Sequence, residues 1–245
     1  MSRTIAVTAL LTALLWYAGR AHAPAPAAPS HPKTPAPRRT PNRIGETNDV
    51  GVSRSSSADH IGGPSHAGRE IQCDLWPEDH VKNQAGRDGK GLCVFASLDM
   101  AARWQNVSAL IGFRDFMSQQ SGGGHPQKVA VMIPKAAAAK SKPAPGYWQF
   151  TDGDAAKLQR ILDTGRIACV TYGYSPRYGG PIAHMVCLVH LDDNWSVVLD
   201  CNFPGADRYE WVPRDEFLRR WRLGEGGGWA VCLSAPPPPP IPVNR

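Results

Sequence analysis

The spacing of apolar residues changes once along this chain, and that change limits what the chain can fold into. Between Cys93 and Ile133 the apolar residues recur three and four apart. Phe95, Leu98 and Ala102 form one stripe, Leu110, Phe113 and Met117 a second, and Val129, Met132 and Ile133 a third. Such spacing gathers side chains on one face of a helix. It predicts helices from Cys93 to about residue 106, over 108–120, and from Pro126 onward with an interruption at Pro134. From residue 167 on, short apolar runs take over, and strands are predicted at 167–174, 183–191, 195–200, 208–212 and 228–233, after an earlier one at 147–151. Two helices fall among them, one N-capped by Asp152 or Asp154 and closed by Gly165, the other over 214–221. Helices first and antiparallel strands later is the order of an α+β domain with segregated layers.

The ends of the chain are of a different composition. Residues 5–18 are an apolar run behind Arg3, too short for a comfortable membrane span, and small residues follow it. Residues 1–21 therefore read as an export signal, which places the product in the periplasm, at the cell surface or outside the cell. Residues 22–70 are rich in Pro and Ala, then in Ser and Gly, and are expected to be a disordered linker. Residues 235–245 carry five consecutive prolines and are expected to be extended, with a partner's aromatic groove as one use for them. That leaves 71–234 as one domain, within the usual size range. The chain's net charge of +6 thins out there: the domain and tail hold 19 basic against 17 acidic residues, with no basic stripe to mark a nucleic-acid binder. Six cysteines in an exported chain invite a disulfide reading, with Cys73 as one candidate to pair, while Cys169, Cys187 and Cys232 fall in strand-like runs that suit buried thiols. No Cys-x-x-C pair exists, so no structural zinc site is expected.

One constellation carries chemistry. Cys93 follows the glycine-rich stretch 86–91 and opens a helical pattern, where unpaired N–H groups and the helix dipole favour a thiolate. His184 stands near the start of one predicted strand and Asp200 at the end of the next, with the turn signal Asp192-Asp193-Asn194 between them. A hairpin would bring His184 and Asp200 together at its open end. The carboxylate could then hold the imidazole, and the imidazole the thiolate. His190 has the same parity as His184 and is expected on the same face near the turn; His60, His66, His80 and His125 are expected at the surface. The aromatic residues, Trp148 and Tyr178 among them, are expected mostly in the core, with residues 174–181 as a cleft wall.

This order of residues resembles the papain-like cysteine peptidase superfamily, in pattern closest to its bacterial bacteriocin-leader-processing (C39-like) branch. The similarity spans residues 76–233 and includes the sixteen-residue step from His184 to Asp200, Pro204-Gly205, Trp211 and the glycine run before Trp229. The Cys-Gly-Ser-Cys-Trp signature of some members is absent around Cys93. The resemblance implies a helical half whose nucleophile helix packs on a C-terminal antiparallel sheet. It also implies a Cys93-His184-Asp200 triad, an acyl-enzyme, a peptide or protein substrate, and no metal or organic cofactor. Relatives place an oxyanion-hole glutamine shortly before the cysteine. Gln84 is the match, nine residues ahead, with 86–91 as an inserted loop; Asn83 or backbone N–H groups are the alternatives. Asn202 is the alternative to Asp200 as the group that orients His184. The same triad also suits a transglutaminase, a peptidoglycan amidase or endopeptidase, or an inactive peptide-binding module.

Overall fold

The structure is a computed structural model and describes residues 65–66, 69–203 and 205–238. The export segment, most of the linker with His60, and the chain beyond residue 238 lie outside the described residues. In chain order the elements are β1 (Ser65–His66) and β2 (Arg69–Glu70), then helices α1 (Cys93–Trp104), α2 (Phe113–Ser118) and α3 (Pro126–Ala139). Next come β3 (Tyr147–Phe150), α4 (Ala155–Asp163), β4 (Ala168–Ser175), β5 (Gly180–Leu191), β6 (Trp195–Leu199), β7 (Tyr209–Pro213), α5 (Arg214–Arg222) and β8 (Ala230–Leu233). β1 and β2 pair with each other in an antiparallel register.

The helices come first and feed an antiparallel six-stranded sheet of order β3-β8-β4-β5-β6-β7. The α+β expectation therefore holds. Helix α1 lies on β5, β4 and β8. Two bonds fix it there: Ser97 Oγ donates to the Met185 carbonyl at 3.2 Å, and Cys187 Sγ donates to the Ser97 carbonyl at 3.3 Å. Helix α5 packs on β4, β6 and β7, with Phe217 edge-on to Tyr172 and Arg220 Nη1 donating to Glu210 Oε1 at 2.9 Å. Tyr172 pairs with His184 in the β4–β5 register, three residues from Cys187 with no shift between, so α1 and α5 cover opposite faces.

Local chemistry sets most of the boundaries. Asp154 Oδ1 accepts the Ala156 N–H at 2.9 Å and caps α4, and Gly165, at φ +72°, turns the chain away after it. His125 caps α3 with Pro126 at its first position. Pro134 does not interrupt α3. The carbonyl it cannot serve belongs to Ala130, and both residues are exposed, so water can satisfy the gap. The second helix is shorter than its apolar spacing predicts. Asn106 and Gly112 both hold positive φ, the chain turns between them, and α2 starts only at Phe113.

The hairpin of β5 and β6 turns at Asp192, whose Oδ1 accepts from the N–H groups of Asn194 and Trp195, both at 2.7 Å. A register shift between Leu188 and His190 breaks the alternation of β5. His190 pairs with Val197 and therefore shares a face with Cys187 and Leu199, not with His184. It is buried beside Trp211. His80 is half-buried, not superficial, and bonds the Leu75 carbonyl through Nε2. Trp148 is exposed on the edge strand β3, not in the core, under the Arg166 guanidinium.

Candidate active site

Cys93 is the first residue of α1 and follows Leu92, the capping position. The chain reaches it through a closed loop. Ala85 and Gly91 bridge, Gly86 N–H donates to the Lys90 carbonyl at 2.7 Å, and Gly89 holds φ +78°. Asp88 Oδ2 accepts from Gly122 N–H at 2.7 Å and ties the loop to the stretch before α3. Residues 86–91 are thus a compact insertion that returns the chain to its starting point, and Leu92 N–H donates to the Gln84 carbonyl at 3.1 Å.

His184 lies on β5, which begins at Gly180, and Asp200 follows the last residue of β6. Both are buried. His184 Nε2 and Asp200 Oδ1 are 2.9 Å apart. The carboxylate has two further donors: Asn202 N–H to Oδ1 at 2.9 Å and Tyr178 Oη to Oδ2 at 2.8 Å. Burial by itself would raise Asp200, yet the hydrogen bond and charge of His184, the Asn202 N–H and the Tyr178 hydroxyl hold it below the usual carboxylate value. Burial would make His184 neutral, but its bonds to Asp200, Cys201 and Cys93 raise it well above its ordinary value. Burial opposes ionisation of Cys93 as well. The hydrogen bond and charge of His184, then the N–H groups of Met185 and Val94, outweigh it and lower the thiol below its ordinary value. With Nε2 on Asp200, the other ring nitrogen is left to meet the thiol.

Of the two candidates to orient His184, Asp200 touches the ring, and Asn202 donates its side-chain amide to Tyr178 Oη at 2.9 Å instead. The Gln84 side chain is exposed, and the cleft over Cys93 is lined without it. That cleft encloses about 550 Å³. Cys93, Val94 and Gly124 form one wall, Pro181–Met185 and Thr171–Gly173 the next, and Leu223–Glu225 the rim. The predicted wall 174–181 contributes Pro181 alone. Tyr178 is turned toward Asp200, its ring 5.3 Å from that of His184. Sequence offered Asn83 only as an alternative oxyanion donor and Tyr178 only as part of a cleft wall; their bonds to Asn202 and Asp200, 119 and 22 residues away, are written in no local pattern.

Cys201 is a further neighbour. Its sulfur and the ligand atoms of His184 and Asp200 lie within 4.8 Å of one another, a set able to hold a metal ion. The hydrogen bonding speaks against that use. Three donors already occupy the Asp200 oxygens: His184 Nε2, the Asn202 N–H and the Tyr178 hydroxyl.

No family profile matches the chain, and no curated protein matches it. Among solved structures, the chain is similar to the crystal structure of a candidate C39-like peptidase from Bacillus anthracis. The identity is 13%, the TM-score is 0.43, and the match covers 64% of this chain and 92% of that one.

Proposed function

We propose that this chain is an exported cysteine peptidase of papain-like arrangement that works through an acyl-enzyme. The observation that carries the reading is the line Cys93–His184–Asp200, with the thiol lowered, the imidazole raised and the carboxylate held ionised. A thiolate and an imidazolium side by side are a nucleophile and a proton donor prepared in advance. The Cys93 thiolate attacks the carbonyl carbon of a peptide bond lying in the cleft. His184 gives its proton to the departing amine. It then takes a proton from the water that attacks the thioester, and the acid product leaves. Asp200 stays ionised throughout and stabilises the imidazolium.

The developing oxyanion needs donors. The first-turn N–H of Cys93 has no carbonyl one turn back within the helix to bond, which makes it one donor. Gln84 is the side-chain donor that the family resemblance implies, although its amide is exposed and does not line the cleft. The export signal in residues 1–21 places this activity outside the cytoplasm, and the proline-rich tail offers a docking segment to a partner.

Two measurements test the reading. Iodoacetamide at about pH 6, well below the ordinary thiol pKa, is expected to modify Cys93 selectively, with the fast reaction lost in His184→Ala. Labelling no faster than that of a peptide thiol would sink the ion pair. Incubation with a proteome-derived peptide library, wild type against Cys93→Ala, is expected to yield new peptide termini by mass spectrometry. Products joined to amines instead of water would assign the triad to transfer chemistry.

A further inference from the structure

Asn83 touches no part of the cleft, yet its side chain reaches the catalytic line from both ends. Its Oδ1 accepts the N–H of Leu92 at 2.9 Å, the residue immediately before Cys93. Its Nδ2 donates to Asn202 Oδ1 at 2.9 Å, and its own N–H donates to the Cys201 carbonyl at 2.9 Å. From Asn202 the path continues to Tyr178 Oη at 2.9 Å, then to Asp200 Oδ2 at 2.8 Å, and from Asp200 Oδ1 to His184 Nε2 at 2.9 Å. His184 and Cys93 line the same cleft, and Cys93 directly follows Leu92, which closes the ring.

The bonds have one consistent polarity. Leu92 offers a donor, so Asn83 must present its oxygen there and its amide nitrogen to Asn202. Asn202 must then meet Asn83 with its oxygen and Tyr178 with its nitrogen. Tyr178 has a single proton, which the carboxylate takes. Reversing any member breaks two bonds at once. A simple tether between loops would need one bond; this path orients every group in it. It also joins the two parts of the fold that the chemistry requires together, the start of α1 and the turn after β6.

We propose that Asn83 is a positioning residue for the reaction, setting the placement of Cys93 against His184 and Asp200 through Asn202 and Tyr178. The proposal rests on the cysteine-peptidase reading above. It departs from the role that sequence position alone offers Asn83, an oxyanion donor, because its amide already serves the ring.

The test is the rate of iodoacetamide reaction with Cys93 across pH, followed by peptide mass spectrometry on the full chain. Asp200, Cys201, Tyr178 and Cys93 are the titratable groups that bear on His184, so the profile reads the site directly. Asn83→Ala is expected to move the acid midpoint up by about half a unit to one unit and to slow the reaction roughly tenfold at about pH 6, as a weakened ion pair would. Tyr178→Phe cuts the same path elsewhere. The double variant is expected to shift no further than the larger single shift, because residues in one network do not act additively. Additive shifts overturn the proposal. So does an unchanged midpoint in Asn83→Ala with a lowered Tm, which assigns Asn83 a purely structural role and leaves the peptidase reading standing. If the wild type lacks fast, His184-dependent labelling, both fall. Should Asn83→Ala fail to fold, Asn202→Ala breaks the path at an exposed residue, and an unchanged midpoint there is equally decisive.

Discussion

Asp200 and Asn202 lie on the same side of an extended chain by their spacing, and only the fold separates them. The turn after β6 aims Asp200 at His184 and swings Asn202 out to Tyr178 and Asn83. The choice has consequences for pH. His184 is raised in the folded state, so its contribution to stability is complete below the ordinary histidine value and is lost as pH rises through the folded one. Asp200 is lowered, so its contribution is complete above the ordinary carboxylate value and is lost as pH falls through the folded one. The pair is worth most between those limits. Replacing Asp200 with Asn removes the charge that favours imidazolium. The His184 ring is then expected to titrate at least one unit lower, about 1.4 kcal/mol, in a nitrogen-detected NMR titration assigned against His184→Ala. A His184 pKa unmoved by the substitution would show that Asp200 is not the orienting group. Gln84 illustrates the reverse difficulty. Its sequence position is suggestive, but the side chain's direction depends on the loop 86–91, whose geometry comes from glycine torsions and a bond to Gly122.

At the level of elements, periodicity located nearly every helix and strand. It failed where one residue's torsion or one distant bond set a boundary. The register shift in β5 and the positive φ at Gly112 are examples. The late start of α2 has a partner that sequence could not supply. Asp99, buried on α1, accepts from Gly112 N–H at 2.9 Å, Arg114 N–H at 3.2 Å and Arg103 Nε at 3.0 Å. A carboxylate from one helix thus caps the next and locks α1 to its neighbour. Asp99→Ala strands two N–H groups and takes from Arg103 the nearer of its two carboxylates, leaving Asp79 at 3.7 Å. It is expected to cost about 3 kcal/mol, a fall in Tm of roughly 6–12 °C for a domain this size, measured by thermal unfolding. A change below about 1 kcal/mol would mean that water replaces the carboxylate there. Iodoacetamide labelling of Cys93 in the same variant would show how far the rigidity of α1 supports the thiolate.

Across the whole molecule, the cysteines depart from the disulfide reading that an export signal would invite. All six are free thiols in the structure, Cys73 included. Five are buried, with Cys73 Sγ directed to the Gly165 carbonyl, Cys187 to Ser97 and Cys232 to Leu233, and Cys169 stands opposite Cys187 across β4 and β5 without a bridge. Burial pushes Cys73 and Cys232 up to about 12, in contrast to Cys93. Titration of the denatured chain with a thiol reagent is expected to count six thiols, and a reductant is expected to leave Tm unchanged. Fewer thiols, or a Tm lowered by reductant, would establish a bridge. The amino-acid sequence by itself determined the α+β order, the helix that begins at Cys93, and the spacing of His184 and Asp200, because each is written in periodicity or in the length of one hairpin. Only the tertiary structure decided which carboxyl or amide meets the imidazole, where Gln84 stands, and that Asn83 and Tyr178 belong to the same network. Those outcomes depend on side chains from segments as far as 119 residues apart, brought together by packing α1 against the sheet. No local pattern encodes that packing.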